Sequence, residues 1–145
     1  MSYWDTSTLA KLYLPETDSP DFELKAGTEP TIVTVKLALH EMRRVAFRKE
    51  SDGLIPANTA EAVLSQLERD IGAGEIRIVE LGAAVEAEFN AIMATCYRRT
   101  PVIPIRTFDA LHLAAARVAG ETELVATDKR LRDAAKLLAF SLFPA

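Results

Sequence analysis

Tyr3-Trp4-Asp5-Thr6-Ser7-Thr8-Leu9-Ala10-Lys11-Leu12-Tyr13-Leu14-Pro15 is the stretch whose reading decides the fold class. Tyr3 to Asp5 reads as the end of a short strand, and Thr6-Ser7-Thr8 offers caps for a helix that follows at once. That helix carries Leu9, Leu12 and Tyr13 and stops before Pro15, which cannot continue it. A strand passing directly into a helix, with an aspartate at the junction, is the unit to look for in the rest of the chain.

The unit recurs. Pro15 and Pro20 bracket a polar loop, residues 21–27 carry no clear pattern, and Thr31–Val35 is a β-branched strand after Pro30. Residues 36–50 have helical spacing, with Ala38, Met42, Val45 and Ala46 on one face, until Ser51-Asp52-Gly53 ends the run. A helix over about 58–71, with Ala62, Leu64, Leu67 and Ile71 apolar, stops at Gly72 and Gly74. Glu75–Leu81 alternates as a strand with Ile76, Ile78 and Leu81 inward, and a helix follows over about 83–97. Past the Pro101 and Pro104 loop, Thr107 caps a helix running to Ala119 and closed by Gly120. Leu124–Thr127 is a buried-looking strand, Lys129–Phe140 a last helix and Ser141–Phe143 a last short strand. Strands alternating with helices from end to end argue for an α/β sandwich on a mostly parallel sheet.

Bulk properties agree with one domain over residues 1–145. The chain is 49% hydrophobic and 26% charged, an ordinary globular balance. One cysteine, Cys96, excludes an internal disulfide and suits a reducing compartment. Neither a secretory signal nor an uncharged apolar run long enough to span a bilayer is visible, so the expected compartment is the cytoplasm and no membrane partner is expected. Seventeen Lys and Arg against 21 Asp and Glu leave a net charge of −4. A nucleic acid would therefore have to meet local basic patches, or else part of the acid surplus is gathered at a metal site. Three basic clusters exist, around Arg43-Arg44, Arg98-Arg99 with Arg106, and Lys129-Arg130 with Arg132.

Four acids stand out by position. Asp5 and Asp128 end strands, Asp109 lies in the first turn of the helix opened by Thr107, and Glu41 lies between one and two turns into the helix after Thr31–Val35. In a parallel α/β sheet, ligands bind beyond the carboxyl ends of the strands, so all four can reach one edge. Clustered carboxylates repel one another unless a cation intervenes, and an oxygen-only set suits Mg²⁺ or Mn²⁺. Such ions activate water and stabilise phosphate oxygens, which suggests phosphodiester hydrolysis. Each acid also has a plainer reading. Asp5 and Asp128 can be helix caps, Asp109 can complement a helix dipole, and Glu41 can pair with Arg44. His112, three residues from Asp109, reads as a packed structural histidine on a face with Phe108 and Ala115. No glycine-rich phosphate loop, Cys/His metal cluster or nucleophile elbow is present.

The segment from Tyr3 to Glu16 resembles the opening of VapC-type PIN domains, where a strand ends in Asp-Ser/Thr-Ser before a short helix. Glu41-Met42-Arg43 is similar to that family's second acidic motif. Arg106-Thr107-Phe108-Asp109-Ala110-Leu111-His112-Leu113-Ala114-Ala115-Ala116 resembles the third, and Val125-Ala126-Thr127-Asp128-Lys129-Arg130-Leu131 the fourth. All four fall in the family's order and cover nearly the whole chain. The resemblance implies a doubly wound PIN-like sandwich and a pocket of Asp5, Glu41, Asp109 and Asp128 for Mg²⁺ or Mn²⁺. Asp5 and Asp109 would be direct ligands, and Ser7 and Thr127 would orient the carboxylates or cap helices. It further implies RNA as substrate, the toxin role of a toxin–antitoxin pair, a VapB-like antitoxin as partner and a homodimer. Rival readings are a non-catalytic interaction module on the same fold and a stand-alone housekeeping ribonuclease. Two departures stand beside the match: the family often has threonine two residues before the fourth aspartate, where this chain has Ala126 with Thr127 adjacent, and Leu138-Ala139-Phe140 stands where a glycine commonly precedes the last strand.

Overall fold

The computed structural model describes residues 1–145. Its strands are β1 (Tyr3–Trp4), β2 (Ile32–Val35), β3 (Ile76–Val79), β4 (Glu123–Val125) and β5 (Ser141–Phe143). The helices are α1 (Thr6–Ala10), α2 (Ser19–Gly27), α3 (Lys36–Ser51), α4 (Ala60–Gly72), α5 (Ala83–Tyr97), α6 (Thr107–Val118) and α7 (Lys129–Leu137). The sheet order is β3-β2-β1-β4-β5 and every pairing is parallel, so the expected mostly parallel sheet is wholly so.

Although β1 has only two residues, it holds the centre. Tyr3 pairs with Val33 on one side and Leu124 on the other, and both Tyr3 and Trp4 are fully buried. Successive side chains of a strand point to opposite faces, and that alternation divides the core in two. Tyr3, Val33, Val35 and Leu124 pack with Leu113 of α6 and Leu131 of α7. Trp4, Ile32, Ile76 and Val125 pack with Leu9, Phe22, Met42 and Leu64 on the other side. Such two-sided burial is why the strands read as apolar runs. The chain moves from β1 to β2 and β3 on one side, then crosses back to β4 and β5 on the other. A topological switch point therefore lies between β1 and β4.

Several element limits differ from the sequence reading, each for a local reason. Residues 21–27, left without a pattern, belong to α2, which starts at Ser19 with Pro20 in its first turn. There the missing N–H costs nothing, so Pro20 opens a helix and does not close the polar loop. Only one large side chain of α2 is buried: Phe22 packs edge-to-face on Trp4 and Phe143 with ring centroids 6.1 and 5.8 Å away, while Leu24 is exposed. Helix α1 ends at Ala10, and residues 11–14 continue as turns, Leu14 N–H still donating to Ala10 O at 2.8 Å. In α4 the buried stripe is Ala60, Leu64 and Leu67, which leaves Ala62 exposed. Leu81 lies beyond β3 and is exposed. The last helix stops at Leu137 because Ala139 turns the chain with φ +66°, letting Phe140 N–H bond Ala135 O at 2.9 Å before β5 begins. A glycine would adopt that positive φ without strain.

Candidate active site

Asp5, Glu41, Asp109 and Asp128 line a single cavity of about 830 Å³, together with Arg44 and Arg106. The cavity opens at the switch point beyond the carboxyl ends of β1 and β4. Asp5 follows β1 directly, and its backbone N–H donates to Val125 O at 3.2 Å, which ties it to the neighbouring strand. Asp128 lies three residues past the end of β4. Glu41 comes from the second turn of α3, which starts as β2 ends, and Asp109 from the first turn of α6.

The plain and the chemical readings of the aspartates coincide. Asp5 is the N-cap of α1: its Oδ1 accepts from Thr8 N at 2.9 Å and Thr8 Oγ1 at 2.7 Å. Asp128 is the N-cap of α7, with Oδ1 accepting from Leu131 N at 3.0 Å. In both, capping consumes Oδ1, fixes the carboxylate plane and leaves Oδ2 toward other partners. Ser7 Oγ approaches both oxygens of Asp5 at 3.1 Å. Thr127, by contrast, is exposed, makes no side-chain hydrogen bond and does not line the cavity. At the start of α6 the cap position is Arg106, with Thr107 the first helical residue.

Glu41 is held from two sides. Thr6 Oγ1 donates to Glu41 Oε1 at 2.7 Å, and His112 Nε2 lies 3.2 Å from the same oxygen. His112 Nδ1 is 2.7 Å from the Tyr3 hydroxyl. Burial pushes the Tyr3 phenol well above its ordinary range, so it stays protonated. An ionised Glu41 oxygen only accepts, so Nε2 faces it with a proton, and Nδ1 of the neutral ring is left to accept from the Tyr3 hydroxyl. His112 is therefore a packed histidine, as its setting on the apolar face of α6 suggested, and also the residue that aims Glu41. From sequence Thr6 is only a capping hydroxyl. No sequence pattern announces its contact, because that contact depends on α1 packing against α3.

Asp5 and Glu41 differ in their electrostatic surroundings. Asp5 is only 5% exposed and has no Lys or Arg ion pair. Burial pushes its pKa up, against the opposing pull of His112, Thr8 and Ser7. Burial also acts to raise Glu41, but there the His112 and Thr6 hydrogen bonds prevail, and its pKa is lowered. Asp109 and Asp128 share a cation: Arg106 Nε donates to Asp109 Oδ2 at 3.0 Å and Arg106 Nη2 to Asp128 Oδ2 at 3.5 Å. Of the basic clusters, only Arg44 and Arg106 face the cavity. Arg43 pairs with Glu61, Lys129 pairs with Asp133, and Arg132 donates to the Ala126 and Pro144 carbonyls.

This donor set suits a hard divalent cation. It is all carboxylate oxygen, and the single thiol, Cys96, is buried in the core away from it. Asp5, a buried carboxyl without a cationic partner, is the group that such an ion would satisfy. As they stand, no three acidic, histidine or cysteine side chains converge tightly enough to grip one ion.

The PIN-domain family model matches residues 2–137. This chain belongs to the PIN-domain family. The PIN domain here is 31% identical over 148 residues to Ribonuclease VapC35 of Mycobacterium tuberculosis, covering 98% of this chain and 95% of that protein. Its fold is shared by the M. tuberculosis VapC20 toxin, described as cleaving the sarcin–ricin loop, at TM-score 0.68 and 18% identity over 92% and 95% of the two chains. It is shared too by a chain of the Rickettsia felis VapBC2 complex bound to a DNA fragment from its promoter, at TM-score 0.65 and 17% identity over 98% and 97%. No helix of this PIN domain is long and apolar enough to cross a membrane.

Proposed function

We propose that this PIN domain is a divalent-metal-dependent endoribonuclease, acting as the toxin of a VapBC-like pair whose antitoxin is its protein partner. The observation that carries this reading is the convergence of Asp5, Glu41, Asp109 and Asp128, from four separate segments, on one cavity at the switch point of a parallel sheet. Likeness to a protein named as a ribonuclease over nearly the full length of both chains supports RNA as substrate. The VapBC2 complex among the structural relatives supports the antitoxin.

Asp5, Glu41, Asp109 and Asp128 would hold Mg²⁺ or Mn²⁺. When bound, the ion supplies an activated water and charge neutralisation at a phosphate. The chain's own work is positional. Ser7 and Thr8 lock the Asp5 carboxylate in one plane, and Thr6 and His112 orient Glu41 and keep it ionised. Arg44, on the cavity wall, offers a guanidinium to an incoming phosphate.

The test is cleavage of structured and single-stranded RNA with Mg²⁺ or Mn²⁺, with chelator, and with Asp5→Asn or Asp109→Asn. The expected result is activity that chelator abolishes and that each variant loses by at least about 100-fold. Cleavage that persists in chelator, or variants as active as the parent, would overturn the metal mechanism.

A further inference from the structure

We propose that Arg106 is an internal counter-cation of the acidic pocket, which a divalent ion must displace from Asp109 and Asp128, and that it thereby sets how tightly the pocket binds metal. The proposal rests on the metal-dependent reading above and adds a residue that competes with the metal.

Four carboxylates around one cavity repel each other, and Arg106 is the only Lys or Arg that forms an ion pair with any of them. It bridges two acids from different parts of the fold, one in the first turn of α6 and the other at the cap of α7. The bonds go to Asp109 Oδ2 and Asp128 Oδ2. At Asp128 this is the oxygen that capping leaves over, since Oδ1 is taken by Leu131 N–H. A metal ion drawn to this pair competes with the guanidinium for Asp109 Oδ2 and Asp128 Oδ2. With two of the four acids aimed at a planar fork, no three of them converge on one point.

Arginine does not lose its proton at accessible pH, so it must move if it is to yield. The geometry allows the side chain to move while the backbone stays. Arg106 is the N-cap of α6, its carbonyl accepting from Ala110 N at 3.0 Å and its N–H lying 3.4 Å from Asp109 Oδ2. Its side chain is 57% exposed and forms no ion pair beyond these two acids. A change of rotamer therefore releases both carboxylates without disturbing the helix, and Asp109 keeps its backbone partner throughout.

The experiment measures Mn²⁺ binding directly, by calorimetry or by the paramagnetic resonance signal of free ion, on the RNA-free protein. Wild type, Arg106→Gln, Arg106→Lys and Asp109→Asn are compared at one pH and ionic strength, with thermal unfolding confirming that each is folded. Arg106→Gln is expected to bind Mn²⁺ about 3- to 10-fold more tightly than wild type, the range that two partly exposed ion pairs set. Arg106→Lys, which keeps a charge but not the fork, should fall between them. Equal or weaker binding by Arg106→Gln would overturn the proposal while leaving the metal site intact, provided that wild type binds and Asp109→Asn does not. If wild type itself binds no Mn²⁺ at millimolar concentration, the metal reading fails and takes this inference with it.

Discussion

Replacing Asp5 with asparagine and with alanine should separate its structural from its chemical duty. The Asp5 carboxylate caps α1 and accepts from Thr8 N and Oγ1, both in a residue that is fully buried. Alanine removes the cap and leaves the buried Thr8 N–H without its acceptor, about 1–3 kcal/mol together, while the Thr8 hydroxyl keeps Val125 O at 2.9 Å. Asp5→Ala should therefore cost about 1–3 kcal/mol, or about 2–12 °C in Tm for a chain of this size. Asparagine keeps an acceptor in the same place and caps about as well. It also removes a charge that burial disfavours, because the folded state holds the Asp5 proton more tightly than the unfolded chain does. That ionised carboxyl opposes folding once pH exceeds its folded pKa, and the penalty fades as pH falls back toward the ordinary carboxylate value. In chelator at pH 7, Asp5→Asn should melt above wild type, and the gap should close toward pH 4. With a divalent ion at about 100 times its dissociation constant, wild type should gain about 2.7 kcal/mol, some 5–11 °C, and neither variant should gain it. Thermal unfolding by circular dichroism, with chelator or Mn²⁺ at both pH values, reads every arm. An asparagine variant that melts below wild type in chelator, or that retains the full metal-induced shift, would refute the reasoning.

Glu41 should behave oppositely. Its lowered pKa means that ionised Glu41 stabilises the fold at neutral pH, so Glu41→Gln should melt below wild type at pH 7 and match it once acidification protonates the native carboxyl below its ordinary value. Tyr3→Phe removes the hydroxyl that faces His112 Nδ1 in the buried core, and should cost about 1–3 kcal/mol in denaturant unfolding while weakening RNA cleavage through a misaligned Glu41. Ala139→Gly relieves a positive φ at an exposed position and should raise stability by about 1 kcal/mol, measurable as a rise of ~2–4 °C in Tm. Thr127→Ala should leave stability within about 0.5 kcal/mol and metal binding unchanged, since its side chain bonds nothing.

Much of this protein can be read without coordinates, because the relevant physics is local. Apolar runs bounded by caps and breakers mark β2, α3, α5, α6 and β5, and the Asp5 and Asp128 junctions follow from strand-to-helix punctuation alone. Legibility ended where a signal was weak or was outvoted by packing. Helix α2 buries only Phe22 among its large side chains, so it lacked a periodic face, and Pro20 looked like an end when it was a beginning. Ala139 adopts a turn that its residue type disfavours, because β5 must return to pair with β4.

The four acids were visible one at a time in the chain, each with a cap or a surface pair as an adequate explanation. What brings them to one cavity is the crossover from β3 back to β4, which places the ends of β1 and β4 side by side. The partners that decide their chemistry are equally non-local. Tyr3 meets His112 across 109 residues and Arg106 meets Asp128 across 22, contacts that exist only once α6 lies against the sheet. Residue type and short-range spacing determine which groups can cap, titrate or bind. Which of them share a charge, a proton or an ion is decided by the burial and juxtaposition that only the packed structure creates.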